Sequence, residues 1–130
     1  MSTPTYTMPT PIRASAVLTT GEVFHEIVEA KDLISNCNQL SLYINFTKGS
    51  LTNALVKVYT SQDGTNWHAM SDITYSAGVG TVSPIVLTLT ASAAFTFQHE
   101  INTKFIKVGV QGTGTVTNSL MSIGVNLGNK

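Results

Sequence analysis

The chain has 130 residues, the size of one domain around one hydrophobic core, and a core of that size stands without disulfides or metals. Charged residues make up 11%, seven basic against seven acidic, where about 25% is usual; with no net field and few donors for phosphate, nucleic acid is excluded as an expected partner. Cys37 is the one cysteine, so no intramolecular disulfide framework is expected, and the apolar stretches, broken by Thr and Ser, fall far short of the ~20 residues of a membrane helix.

Residues 1–13 hold three of the four prolines, Pro4, Pro9 and Pro11, among Thr and Ser. This composition predicts an extended N-terminal arm that cannot bury itself, with Tyr6, Met8, Pro9 and Ile12 as its contact residues. The opening residues lack the charged head and apolar run of a secretion signal, so synthesis in a reducing cytoplasm is expected. Residues 14–130 read as one domain. In Glu22 to Leu33 the β-branched Val23, Ile27 and Val28 favour a strand over a helix. Cys37, between Asn36 and Asn38, reads as a small buried filler ahead of the next strand.

From there a period of two dominates. Leu40, Leu42, Ile44 and Phe46 alternate with Ser41, Tyr43 and Asn45. Ala54, Val56 and Val58 alternate with Leu55, Lys57 and Tyr59. Ile85, Leu87 and Leu89 form a third run, and Phe95, Phe97 and Ile101 a fourth, in which His99 takes the inward register. Ile106, Val108 and Val110 oppose Lys107 and Gly109, and the last run sets Met121, Ile123, Val125 and Leu127 against Ser122, Gly124 and Asn126. Turn chemistry lies between these runs at Lys48-Gly49-Ser50, Asp63-Gly64, Ala77 to Gly80, Gly112-Thr113-Gly114 and Gly128-Asn129. Nineteen threonines, twelve serines and twelve valines suit pleated, half-solvated strands. About eight short strands with no crossover helix predict an all-β fold, a single antiparallel β-sandwich of jelly-roll-like topology with the extended arm ahead of it.

Catalysis needs titratable groups brought together, and three histidines, seven carboxylates and one thiol are a thin supply. His25, His68 and His99 show no metal-ligand spacing, Cys37 has no neighbouring base in sequence, and Gly112-Thr113-Gly114 lacks the following helix of a phosphate loop. No catalytic, metal or cofactor residue is assigned. Asn45-Phe46-Thr47 matches a glycosylation sequon inside a strong strand pattern and reads as coincidence.

The most specific local string is Ser61-Gln62-Asp63-Gly64-Thr65-Asn66-Trp67. Asp63 can accept from the amides ahead of it, Gly64 can take the left-handed conformation, and Trp67 can fold back over the sandwich end. The string resembles the Asp-box of sialidase-type propellers with one residue missing, and the hairpin of discoidin-like carbohydrate-binding sandwiches; in both the motif is mostly structural.

A resemblance of wider coverage rests on three runs: Leu42 to Thr52, Val56 to Trp67, and Phe105 to Thr117. Together they make residues 38 to 128 similar to small β-sandwich proteins encoded among the structural genes of tailed bacteriophages. That resemblance implies a non-enzymatic virion component, a capsid decoration (cement) protein or a neck or tail accessory. Its implied partners are the major capsid protein or other virion proteins and further copies of itself, and its implied place is the virion, after synthesis in the host bacterium. Low charge and outward Leu55 and Tyr59 fit such interface use, with the arm as a second contact. The alternative expectation is a carbohydrate-binding module, with Tyr59, Trp67 and Tyr75 as its aromatic platform.

Overall fold

The computed structural model describes residues 10–26, 39–101 and 103–128. These form eleven strands and no helix: β1 (Thr10–Ala16), β2 (Val23–Glu26), β3 (Gln39–Thr47), β4 (Leu51–Ser61), β5 (His68–Ala69), β6 (Ser71–Ser76), β7 (Val79–Pro84), β8 (Val86–Leu89), β9 (Ala93–Glu100), β10 (Phe105–Gly114) and β11 (Leu120–Gly128). One sheet runs β1-β11-β3-β9, the other β2-β10-β4 with β5 and β8 both on the outer edge of β4, and every pairing is antiparallel.

The pairs β1 with β11, β2 with β10, β3 with β9 and β4 with β8 nest symmetrically about the middle of the chain. The chain is thus one long antiparallel ribbon, rolled so that β11 also bonds β3 and β10 also bonds β4. That winding makes the β-sandwich a jelly roll. The expected eight strands are those of the roll. The other three, β5, β6 and β7, lie in the β4–β8 connection, where β6 and β7 form a two-stranded sheet of their own.

The core is the sum of the two inner faces. Leu40, Leu42, Ile44 and Phe46 of β3 and Met121, Ile123 and Val125 of β11 face Ala54, Val56 and Val58 of β4 and Ile106, Val108 and Val110 of β10, all buried, with Leu18 and Leu51 at one end. Register puts Ile44 opposite Ile123 and Val58 opposite Val108, so branched side chains meet across each ladder. Each fully buried aliphatic side chain contributes about 1.5–3 kcal/mol of transfer free energy.

At the open side of the sandwich where β1 and β2 lie, Arg13 ties the sheets together. Its Nε donates to the Met121 carbonyl at 3.1 Å and its Nη2 to those of Ala16 at 3.2 Å and Val17 at 3.0 Å, while Nη1 lies 3.2 Å from His25 Nε2.

The strand β1 begins at Thr10, within the stretch read from composition as arm. Pro11 fits because β1 is an edge strand, which tolerates a missing N–H, and the ladder is irregular between Pro11 and Arg13. Ile12 is half-buried and packs against the core. Tyr6, Met8, Pro9 and Cys37 lie outside the described residues.

Candidate functional site

The outward face of the β2-β10-β4 sheet carries a compact aromatic and ionic cluster. Antiparallel register sets Lys107 opposite Tyr59 on one side and Glu26 on the other, with Phe24 two pairs along, opposite Gly109. The Lys107 ammonium sits 4.2 Å from the centroid of the Phe24 ring, 4.6 Å from that of Trp67 and 5.6 Å from that of Tyr59. Phe24 and Tyr59 meet edge to face with centroids 5.6 Å apart. A cation held over three ring faces gains about 0.5–2 kcal/mol per good contact, less where water reaches it.

Glu22 completes the cluster by accepting the Tyr59 hydroxyl at its Oε2, 2.8 Å away. Burial, and then the bond and charge of Glu22, push the phenol up to about 12, so it stays a neutral donor. The carboxylate reaches Tyr59 by lying across β10 at Gly109, where any Cβ would collide with it. Gly109 is therefore a close-approach position.

Trp67 is delivered by the turn after β4. Asp63 Oδ1 accepts from the amides of Thr65 and Asn66, each at 2.8 Å, and from the Ser61 hydroxyl at 3.0 Å; Oδ2 accepts from Asn66 Nδ2 at 2.7 Å. Those bonds, the Asn66 and Thr65 amides foremost, hold the Asp63 carboxyl well below the usual carboxylate range. Gly64 sits at φ 78°, the left-handed conformation the turn demands. The Ser-x-Asp-Gly-x-x-Trp string is thus a scaffold for Trp67, as its composition suggests.

Of the three residues named as an aromatic platform, the structure brings Tyr59 and Trp67 to the same lysine and separates Tyr75, which lies on the β6–β7 hairpin. Phe24, Lys107 and Glu22 escaped the sequence reading, because only the long-range pairing of β2 with β10 makes them neighbours. Leu55 is half-buried on the same outward face, opposite Gln111 and Thr88.

A cleft of about 430 Å³ opens near the end of β4, lined by Gln62, His68, Met70, Ser71, Glu100 and Ile101 among others. Three of its polar lining groups are already engaged: the Ser61 hydroxyl bonds Asp63, the Thr103 hydroxyl donates to the Ser61 carbonyl at 2.8 Å, and the Ser71 hydroxyl donates to the Ala69 carbonyl at 3.0 Å. His99 of β9 sits next in sequence to Glu100, with Nε2 3.7 Å from Asp72 Oδ1. Among the described residues, no group of three or more His, Cys, Asp or Glu side chains could hold a metal ion.

The third feature is apolar. Of the nine exposed large hydrophobic side chains among the described residues, four, Ile73, Tyr75, Val79 and Val82, lie together on the β6–β7 hairpin; Val23 and Phe24 lie on β2, Val17 just after β1, Val86 on β8 and Leu120 on β11. Comparison of the sequence with known protein families and with curated proteins finds no match.

Proposed function

We propose that this protein is a non-enzymatic assembly component of a bacteriophage virion, a capsid decoration protein or a neck or tail accessory, that binds the virion shell as a homo-oligomer. The observation that carries the assembly reading is the concentration of exposed Ile, Val and Tyr side chains on the β6–β7 hairpin of a neutral, sparsely charged sandwich. Patches of this kind mark protein–protein contact surfaces. The virion setting rests on the sequence resemblance, and the jelly-roll topology, common among capsid domains as well as lectins, is compatible with it.

The cluster around Lys107 supports a second reading, a carbohydrate-binding module, since Tyr59 and Trp67 share one face with Glu22 and Lys107. The first is preferred because Lys107 already occupies the space over the rings that a sugar would stack on.

Mass spectrometry of purified virions tests the first reading. A virion protein is present in fixed stoichiometry, at hundreds of copies per particle for shell decoration or a dozen or fewer for a neck or tail position. Its absence from particles overturns the virion assignment. Glycan-array binding by the purified protein, lost in Trp67→Ala with the fold intact, would promote the second reading instead.

A further inference from the structure

The three rings around Lys107 are each held by something other than the lysine. Tyr59 is fixed by the 2.8 Å bond from its hydroxyl to Glu22, Trp67 is delivered by the Asp63 turn, and Phe24 is set by the β2–β10 ladder and its edge contact with Tyr59. They form a cage that is built in advance of its occupant. The occupant shows what the cage takes: an alkylammonium, 4.2, 4.6 and 5.6 Å from the ring centroids of Phe24, Trp67 and Tyr59. Water reaches it on the Phe24 side, where that ring is 47% exposed.

A lysine is not the cation such a cage holds best. A primary ammonium carries three N–H donors that ring faces satisfy poorly, and it is strongly hydrated once released. A quaternary ammonium has no donor to leave unmet and presents only methyl groups to the rings, which is why cages of aromatic rings select it. The advantage of Lys107 is its tether, equivalent to an effective concentration of about millimolar or more. A bare quaternary ammonium therefore displaces it only weakly.

What tips the exchange is a partner for the lysine after it leaves the rings. Glu26 stands directly opposite Lys107 across the ladder, on the same face, and Lys57 shares that face two residues along β4 from Tyr59, opposite Gly109. The surface is thus dipolar: Glu22 and Glu26 come from β2 and the residue before it, and Lys107 and Lys57 from β10 and β4. A ligand with a quaternary ammonium at one end and a phosphate a short link away matches both ends. Its phosphate gives the expelled ammonium a charge-assisted bond, so the charge of Lys107 is used and not wasted. A neutral sugar offers neither end.

We propose that the Phe24, Tyr59 and Trp67 cage is a binding site for a phosphocholine-type group, whose quaternary ammonium replaces the Lys107 ammonium over the rings and whose phosphate pairs with the displaced lysine. Lys107 is then both the plug of the empty site and a ligand of the filled one. The site is separate from the exposed hairpin that carries the assembly reading, and it stands whether or not the protein is a virion component.

Trp67 is the one tryptophan, so its fluorescence reads the cage directly. Titrated at matched ionic strength, phosphocholine should give a saturable change at a concentration at least about fivefold below that for choline, and sodium phosphate should give none. In the wild type, the Lys107 ε-methylene protons, shifted upfield by the rings, should move to ordinary positions as phosphocholine is added, which reports displacement without any substitution. Lys107→Ala should bring choline level with phosphocholine, and Lys107→Gln serves if the alanine variant melts early. Phe24→Ala should weaken both ligands at least about fivefold. No saturable response to phosphocholine, an equal response to sodium phosphate, unmoved Lys107 protons, or a preference for phosphocholine that survives loss of the lysine would each overturn the proposal. Flotation with phosphatidylcholine vesicles, against phosphatidylglycerol vesicles, then separates the two sources of the group: binding assigns the lipid headgroup, and binding of free phosphocholine alone assigns a soluble or glycan-borne one.

Discussion

Among the described residues, the partners of the Arg13 guanidinium are three backbone carbonyls and the His25 ring. Arginine has no acceptor, so the contact at Nε2 requires that nitrogen to be unprotonated, and the imidazole is neutral with its proton on Nδ1. Protonating His25 would lose that bond and place two cations 3.2 Å apart. Burial first, and the Arg13 charge second, hold the His25 pKa below its ordinary 6.5. The unfolded chain therefore binds more protons than the folded one as pH falls through 6.5, so this stabilisation is complete above that pH and drains away toward the depressed folded value. The melting temperature should be level above pH ~7 and decline as pH falls toward ~5, and His25→Asn should remove that part of the decline. Parallel profiles for the two proteins over this window would sink the account. At the same residue scale, Arg13→Met should cost about 1–3 kcal/mol in denaturant unfolding, because carbonyls buried with the guanidinium lose their donor.

The outward cluster was half legible in the sequence for a related reason. Tyr59 and Trp67 could be grouped because a short turn joins them, and the Asp63 bonding was readable from spacing alone. Phe24 and Lys107 are far apart in sequence, and Phe24 sits in a short four-residue strand, so nothing local announced their contact.

At the scale of elements, what could be read was what the core enforces. In β3, β4, β10 and β11 one face is buried without interruption, and a slip of one residue would turn that face to water, so alternation marks both existence and register. Gly112-Thr113-Gly114 is a turn only at its end, where Gly114 takes φ 94° at a register shift and closes the strand. The pairing of β10 with β4 runs on through Thr113 to Gly114, and Gly112 is small because the Leu51 and Leu18 side chains pack where its Cβ would be. The β6–β7 hairpin was readable only at its Ala77 to Gly80 turn, since neither of its faces is buried by the rest of the chain.

That independence is itself testable. Both β5 and β8 bond β4 on their own account, and the root is closed by the Met70 and Ile85 amides. Replacing residues 72–83 by a two-residue Asn-Gly turn should therefore leave the sandwich folded, with the melting temperature within a few degrees of wild type, since surface changes away from packed features usually stay within about 0.5 kcal/mol. The same deletion should abolish self-association. A deletion protein without a cooperative unfolding transition would mean that the hairpin belongs to the fold and not to the surface.

For the whole molecule, the low charge count takes on a mechanical meaning once the exposed apolar side chains are placed. Seven positive and seven negative charges cancel, several of them are spent in local contacts such as Lys107 over its rings and Asp63 in its turn, and the exposed β6–β7 hairpin is dominated by aliphatic and aromatic groups. Association driven this way gains from area removed from water and owes little to long-range attraction. Raising salt from about 50 to about 500 mM shortens the screening length severalfold, yet the concentration for assembly should move by less than about twofold. Cooling should weaken it, because burial of apolar surface is entropy-driven near room temperature. Sedimentation at two salt concentrations and two temperatures separates the cases: tenfold weakening in salt with no loss on cooling would place the interface on charged groups, and the hairpin would then be the wrong surface.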